Sequence, residues 1–481
     1  MNYYIGIDLG TSSLKGILAD ENGNIHRESS ASYSVLYPHD GWTEQNPSDW
    51  ITAAKKVLTI LSSGVSRDVR GLSVGGQMHG LVTLDENDSV IRPCILWNDG
   101  RTEAETAYLN NVIGRERLSS LTGNIAFAGF TAPKLLWMKK NEPDNFARIK
   151  KIMLPKDYLA YVLTGVFSTD YSDASGMLLL DVEHKQWSRE MCEICGISEN
   201  MLPRLYESYE VTGKVKREFG LPNCIVTAGA GDNAAAAVGT GTVKNGACNI
   251  SLGTSGTIFI SGDSFSVDPK NALHSFAHAN GKYHLMGCIL SAASCRKWWL
   301  EDLLGTSDYA SDEDGAPAIP SDNGVIFLPY LSGERSPHND VNARGAFIGL
   351  SATTTKAEMS RAVMEGVAFA LRDCLEVAKS NGINPDYTTL CGGGAKSRLW
   401  RQIIADVMNI PVRILRTEQG PSLGGAMLAM VGAGQYASVE EAAEKIVSVS
   451  EEIKPIPENV AAYEKKYRYF ARLYPALRDA R

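Results

Sequence analysis

Tyr4-Ile-Gly-Ile-Asp-Leu-Gly-Thr-Ser-Ser-Leu-Lys-Gly-Ile-Leu18 opens the chain, and its central Leu-Gly-Thr-Ser returns in Ala247-Cys-Asn-Ile-Ser-Leu-Gly-Thr-Ser-Gly-Thr-Ile-Phe-Ile260. Each copy is a glycine-threonine turn between two short apolar runs, which predicts strand–turn–strand. Glycine lets the backbone come close to a ligand. The N–H groups and hydroxyls around it can then wrap an anion such as phosphate. Two copies near the starts of two similar halves point to a duplicated fold gripping a polyphosphate from both sides. The copies are unequal. The first carries Asp8 and Lys15, whereas the second has Ser251 where Asp8 stands and Gly256 in its glycine-threonine run, so it offers neutral donors only.

The elements on either side follow the same α/β alternation. Strands are expected at Tyr3–Asp8, Leu14–Ala19 and Asn24–Val35, with Gly23 at the second turn. A helix is expected from Pro47 to about Leu61, capped by Asn46 with Pro47 in its first position. Further strands are read at Gly71–Gly75, Arg92–Trp97 and Ile225–Ala230, and helices at Thr102–Val112, Pro133–Asn141 and Lys156–Leu163. In the second half, strands are expected near His284–Cys288, Val325–Leu328 and Thr388–Gly392. Helices are expected at Met359–Ser380, Ser397–Met408 and Ser422–Val431. The tail from Pro455 spaces Tyr and Leu as a helix would, and could pack onto either half.

With 481 residues, two domains are the natural division. A net charge of −8 argues against nucleic-acid binding. Met1-Asn-Tyr-Tyr4 leads straight into a strand without the basic and apolar regions of a secretory signal, and no apolar run is long enough to span a membrane. Nine cysteines lack framework spacing, so reduced thiols and a cytoplasmic location are expected. Cys192-Glu-Ile-Cys195 reads as part of a short helix ending at Gly196, and as packing rather than metal binding. His274 and His278 have helical metal-ligand spacing, but the flanking pattern is that of a strand.

Several residues are placed for chemistry. Asp8 ends the first strand just before its turn. A carboxylate there repels phosphate unless a cation intervenes, so it either holds Mg²⁺ or caps its own turn; Lys15 and the paired turns favour the metal. Asp232, in Gly231-Asp-Asn233, follows a strand and precedes the helix-forming Ala234–Ala237. It is either a helix cap or a base that takes a proton from an attacking hydroxyl. Gly75-Gly-Gln-Met-His-Gly80 and Trp97-Asn-Asp-Gly-Arg101 each follow an apolar strand. They combine hydrogen-bonding groups with an apolar or aromatic face, which suits a polyol or sugar; the alternative for His79 is an ordinary loop histidine. Gly392-Gly-Gly-Ala-Lys-Ser397 lacks the spacing and ending of a Walker A loop. It reads as a close-approach surface for adenine or ribose, or as a plain tight turn.

Together these residues resemble the FGGY family of carbohydrate kinases over nearly the whole chain. Gly129-Phe-Thr-Ala-Pro-Lys-Leu-Leu-Trp-Met-Lys-Lys-Asn141 matches one family signature. Leu328-Pro-Tyr-Leu-Ser-Gly-Glu-Arg-Ser-Pro-His338, continuing to Gly345-Ala-Phe-Ile-Gly-Leu350, matches the other. Gly76–Gly80, Ile95–Arg101, Leu154-Pro-Lys-Asp-Tyr158 and Gly231–Ala235 are similar to the branch that phosphorylates a ketose. Glycerol-phosphorylating members carry Arg-Glu where Met78-His79 stand here. The segment Gln419-Gly-Pro-Ser-Leu-Gly424 departs from the acidic, alanine-rich pattern of many members.

The resemblance implies an α/β, two-domain, actin-like sugar kinase (ribonuclease H-like) fold with a deep interdomain cleft. It implies a sugar-binding and catalytic domain over 1–245, a nucleotide-binding domain over 246–455 and a helical tail over 456–481. It implies ATP-dependent phosphorylation of D-xylulose at its terminal hydroxyl, with ribulose, a deoxy sugar or another polyol as alternative acceptors. Asp232 is then the general base, and Met78, His79, Trp97, Asp232 and Asn233 hold the sugar. Asp8 binds Mg²⁺, and Gly10, Thr11, Ser12 and Lys15 face the transferred phosphate. Gly253, Thr254 and Ser255 hold phosphates from the other lobe, and Gly394, Ala395 and Arg398 border the adenosine. A homodimer is implied. The rival of another class is a non-catalytic ATP-switched binding protein on the same fold.

Overall fold

Strand Tyr3–Leu9 pairs antiparallel with Ser13–Asp20, which pairs antiparallel with Ile25–Ser32; on its other edge it runs parallel to Val69–Gly76. Val69–Gly76 is followed outward by the parallel strand Ile225–Thr227 and the antiparallel edge strand Val211–Lys214. The second seven-stranded sheet repeats this plan. Cys248–Leu252 pairs antiparallel with Gly256–Gly262 and that strand with Tyr283–Ile289, while Thr388–Cys391 and Val412–Leu415 add parallel strands and Val449–Ile453 an antiparallel edge. The computed structural model describes residues 1–315, 324–417 and 419–479.

Alternation along Tyr3–Leu9 assigns its two faces. Ile5, Ile7 and Leu9 are buried in a core with Trp50, Val57 and Leu61 of helix Pro47–Ser62. Tyr4 points into a second core shared with Leu423, Ala426 and Met427 of helix Gly420–Gly432. Gly6 is on that same face, where an added Cβ would lie 1.8 Å from the Ser422 carbonyl oxygen. Helix Gly420–Gly432 comes late in the chain, yet it packs on the first sheet and on helix Asp232–Gly239. Small residues permit this: a Cβ on Gly424 would lie 1.8 Å from the Ala235 oxygen, and one on Gly239 would lie 2.0 Å from the Gly420 oxygen.

Helices Lys356–Ser380 and Arg398–Met408 cover the second sheet. The tail forms helix Pro457–Arg478 and packs on the second half, burying Tyr463, Phe470 and Tyr474 in that core. Cys192 and Cys195 are buried in helix Arg189–Cys195, and no disulfide joins any of the nine cysteines to another among the described residues. His274 lies in strand His274–Ala277, and His278, just beyond it, hydrogen-bonds through Nε2 to the Thr242 oxygen at 2.8 Å.

Some elements differ from the sequence reading. The expected strand Arg92–Trp97 is reduced to Cys94–Ile95. The expected helix Thr102–Val112 is Glu103–Tyr108 followed by a wider π-helical stretch, Leu109–Gly114. The expected strand Ile225–Ala230 breaks after Thr227, because Gly229 takes a φ of +79° against the Val74 oxygen; pairing resumes as Ala230–Gly231 beside Gly75 and Gly76. The two glycine turns also differ in length. Leu9 pairs with Leu14, but Leu252 pairs with Gly256, so the second turn is one residue shorter and sets Thr257 opposite Ser251 where Lys15 faces Asp8.

Candidate active site

The first sheet delivers two carboxylates to one edge. Asp8 pairs with Gly75, Gly75 with Ala230, and Gly76 with Gly231, so Asp232 emerges two strands away from Asp8, at the carboxyl ends of parallel strands. Two strand spacings separate the backbones by roughly 10 Å. Open α/β sheets bind ligands at such strand ends. Asp8 is half-buried and raised to about 6, by burial first, with the Lys15 charge across the hairpin opposing it. Asp232 is raised to about 7, by burial first and then by the nearby charge of Asp8. Its Oδ1 accepts from the Asn233 backbone N–H at 2.7 Å and from the Asn233 side-chain amide at 2.9 Å. Two carboxylates without histidine or thiol are hard oxygen donors, and they fit Mg²⁺ held by few protein groups together with water and phosphate oxygens.

Met78 and His79 form one wall beside Asp232. A Cβ on Gly231 would meet the Met78 side chain at 2.9 Å, and the Asn233 amide approaches the Met78 sulfur at 3.9 Å. His79 has a φ of +69°, and its carbonyl is clamped by the Lys134 ammonium at 2.8 Å and the Thr131 hydroxyl at 3.0 Å. Its ring stacks on Phe130 with centroids 4.6 Å apart, and Nδ1 lies 2.8 Å from the Gly176 oxygen. Burial lowers its pKa to about 3, so the ring is neutral. A carbonyl can only accept, so Nδ1 carries the proton and Nε2 is left as an acceptor.

Trp97 is 40% exposed, an open aromatic face. Its backbone is pressed against Gly129 of the first signature, where a Cβ would lie 2.2 Å from the Trp97 oxygen. The indole N–H donates to the Thr11 hydroxyl at 3.0 Å, and that hydroxyl donates to Gln77 at 3.2 Å. The Thr11 hydroxyl is therefore committed to this chain, which ties the phosphate turn to the sugar wall. Of the other turn residues, Ser12 and Lys15 are exposed, and the Gly10 carbonyl accepts from Tyr33 at 2.5 Å.

Sequence reasoning assigned no role to a buried cluster behind Asp232. The Lys156 ammonium lies 2.6 Å from Asp157, 2.9 Å from Asp170 and 3.8 Å from Asp173. Burial alone would lower the Lys156 pKa; the carboxylates of Asp157, Asp170 and Asp173 outweigh it and hold the lysine charged. Asp173 is raised well above the carboxylate range, by burial first, and neither of its oxygens has a hydrogen-bond partner among the described residues. The sequence signal was present in Leu154-Pro-Lys-Asp-Tyr158, but the partners Asp170 and Asp173 come from a distant segment.

A cleft of about 330 Å³ separates helix Asp232–Gly239 from the second sheet. Asp232, Asn233, Ser251, Ala395 and Gly420 are among its lining residues, as are Lys396, Arg401 and Thr417, which the sequence reading missed. Gly394 is placed differently: it is buried, and a Cβ there would collide with Leu252 and Trp400. Arg398 is exposed in the first turn of its helix, outside this lining, while Arg401 one turn later donates to the Ala395 carbonyl at 2.5 Å. In the second glycine turn the Gly253 and Thr254 carbonyls accept from Ala293 and Ala292 at 2.8 and 2.9 Å. These bonds anchor the turn, in which Thr254 is exposed and Ser255 half-buried; none of Gly253, Thr254 and Ser255 is among the lining residues of the cleft.

Residues 3–239 match the N-terminal domain, and residues 248–433 the C-terminal domain, of the FGGY family of carbohydrate kinases. The chain is 42% identical to the xylulose kinase of Escherichia coli (strain K12), covering 98% of this chain and 99% of that one. It is 43% identical to the xylulose kinase of Lactococcus lactis, covering 98% and 97%. A xyloylose kinase from Brucella ovis superposes on it with a TM-score of 0.95 at 39% identity, covering all of both chains. With both family domains matched in order across one duplicated two-sheet fold, the chain belongs to the FGGY family of carbohydrate kinases, phosphotransferases that use an alcohol group as acceptor.

Proposed function

We propose that this chain transfers the γ-phosphoryl group of ATP to the terminal hydroxyl of D-xylulose, giving D-xylulose 5-phosphate and ADP, with Asp232 as general base. The likeness to xylulose kinases supports the ketose acceptor. The observation that carries the base is the placement of Asp232 at a strand end, beside Met78 and on the cleft, with a pKa of about 7. A base of that strength accepts a proton near neutrality.

Both hydrogen bonds to Asp232 fall on Oδ1. Oδ2 is thereby left to take the hydroxyl proton as the oxygen attacks phosphorus. Neutral His79 accepts from a sugar hydroxyl through Nε2, Asn233 and Met78 shape the wall next to the base, and the Trp97 ring covers the sugar carbons. Phosphoryl transfer depends on positioning and charge neutralisation. Asp8 would hold Mg²⁺, which when bound neutralises phosphate charge. Lys15 and the N–H groups of Thr11 and Ser12 face the transferred group, and Gly10, whose N–H closes the turn on the Ser13 oxygen at 3.0 Å, lets the backbone approach it. The N–H groups of Gly253, Thr254 and Ser255 hold phosphates from the second sheet, and Ala395, Arg398 and Arg401 border the nucleoside, with Gly394 seating that loop.

A panel of ketoses and polyols in a coupled ADP assay tests this reading. D-xylulose should give the highest kcat/KM; a higher value for ribulose or a deoxy sugar overturns the acceptor, and ATP hydrolysis indifferent to every sugar overturns the kinase. Nine cysteines without a disulfide among the described residues support a reducing, cytoplasmic setting, and the family resemblance supports a homodimer. A monomer mass by light scattering would refute the latter. Among the described residues no helix is long and apolar enough to cross a membrane.

A further inference from the structure

The segment that delivers Asp232 is not a continuous strand: its Ala228 and Gly229 N–H groups bond to the Glu210 and Ser208 carbonyls at 3.0 Å, and side chains hold the rest. After Thr227 the ladder breaks, and the chain regains the sheet only at Ala230–Gly231. Two of its backbone groups reach into the buried cluster behind the site. The Lys156 ammonium donates to the Ala228 carbonyl at 3.3 Å, and the Gly231 N–H donates to the Ser172 hydroxyl at 3.2 Å. Ser172 in turn donates to Asp170 Oδ2 at 2.5 Å, and Asp170 Oδ1 faces Lys156 at 2.9 Å. All three side chains are fully or almost fully buried. A buried ion pair is weak evidence for stability, and in some proteins such groups serve conformational specificity.

We propose that Lys156, Asp170 and Ser172 form a positioning relay that fixes the Gly231 peptide, and with it the aim of the Asp232 carboxylate; the proposal rests on Asp232 being the base. None of the three touches substrate. The relay acts through geometry: with Ser172 hydrogen-bonded on both sides, the Gly231 N–H has one direction to point, and the next side chain is aimed with it. Misplacement of a reacting group by about 1 Å costs on the order of 10²-fold in rate.

Ser208 provides an internal control. Its hydroxyl donates to the same Asp170 Oδ2 at 2.7 Å but does not bond to the Gly231 N–H. Ser172→Ala and Ser208→Ala each delete one buried hydroxyl bond to Asp170, and only the first cuts the relay. Both proteins are compared with wild type by coupled ADP assay, thermal unfolding and calorimetric titration with D-xylulose, whose stoichiometry counts folded sites. The expected result is a drop in unfolding temperature for both, larger for Ser172→Ala, which also leaves the Gly231 N–H unpaired. For Ser172→Ala, kcat per folded site falls at least tenfold while sugar affinity stays within about threefold; Ser208→Ala keeps kcat within about threefold.

Equal losses of kcat in the two variants would reduce the cluster to a folding role and overturn the relay. So would an unchanged kcat in Ser172→Ala. Asp232→Asn, assayed alongside, separates the two readings: if it loses turnover while Ser172→Ala does not, only the relay fails. If Asp232→Asn keeps its turnover, the base assignment fails first.

Discussion

Asp8 and Asp232 are linked through a single strand: Asp8 pairs with Gly75, and Gly75 pairs with Ala230, two residues before Asp232. Neither carboxylate is neutralised by an ion pair among the described residues, and the charge of Asp8 raises the proton affinity of Asp232. The arrangement stores repulsion at the point where phosphate, a cation and an attacking hydroxyl would meet.

Asp232→Asn keeps the shape of the side chain and removes its basicity. We expect kcat to fall by about 10²–10⁴-fold, the range of a general base. Sugar KM should change little, because Met78, His79 and Trp97 remain. A coupled ADP assay with D-xylulose checks both.

The same substitution has a stability consequence whose sign follows from the raised pKa. Asp232 moves from 3.8 to about 7 on folding, so the native state holds this proton more tightly than the unfolded chain. Stability from this group is present below pH 3.8 and is lost as pH rises through about 7. In protein free of metal and nucleotide, Asp232→Asn should match wild type near pH 4 and be the more stable at pH 8. Urea unfolding at the two pH values measures the difference, and an equal gap at both would refute the shift.

Asp8→Asn should raise the Mg²⁺ concentration for half-maximal rate by roughly tenfold or more, since one anionic oxygen donor is lost. Its second effect is on Asp232, which loses the repulsion that Asp8 supplies. The acid limb of kcat/KM, which reports the free enzyme, should therefore move to lower pH. A Mg²⁺ titration and a pH–rate profile separate these effects.

His79→Phe retains the stack on Phe130 and deletes the Nε2 acceptor. A buried polar partner left unpaired costs about 1–3 kcal/mol, so kcat/KM for the sugar should fall by roughly ten- to a hundredfold. Because His79 stays neutral above a pKa of about 3, its NMR ring signals in the wild-type protein should not titrate between pH 5 and 8. A titration midpoint near 6.5 would contradict the buried, carbonyl-bound ring.

Gly424→Ala inserts a methyl group 1.8 Å from the Ala235 carbonyl oxygen, where backbone must give way. Overpacking of this kind costs about 1–3 kcal/mol or more. The unfolding temperature should drop by several degrees, more than for Gly41→Ala, where nothing lies within 4 Å but φ is +72°.

Much of the fold was legible in the chain because its signals are local. Pro47 after Asn46 starts the helix Pro47–Ser62, and Ser397 caps Arg398–Met408 through the Trp400 N–H. Asp8 and Asp232 could be found from their places at the ends of apolar runs beside glycine. Most of what escaped depends on long-range contact. Gln77 stood in the Gly75–Gly80 stretch with no role assigned to it, and Gln45 stood in no motif; their link to Thr11, and through it to Trp97, exists only once the fold brings them together. One miss was local: Thr355 with Glu358 forms a capping box that starts Lys356–Ser380 three residues before the expected Met359, a signal that reading apolar periodicity alone passes over. Arg401, which lines the cleft where Arg398 one helical turn away does not, was not singled out, because the orientation of that helix is fixed by Trp400 and Ile404 in the distant core.

The packing of Gly420–Gly432 on the first sheet bears on any attempt to divide the molecule. A piece ending at residue 245 would carry Tyr4, Ile17 and Ala19 on a face stripped of helix Gly420–Gly432, and a piece beginning at 246 would expose Leu423, Met427 and Met430 to water. Neither would be expected to stay in solution alone. Expressed together, the two pieces should reassemble through this helix, so a break in the chain near Lys244-Asn-Gly246 would yield a complementing pair rather than two working parts.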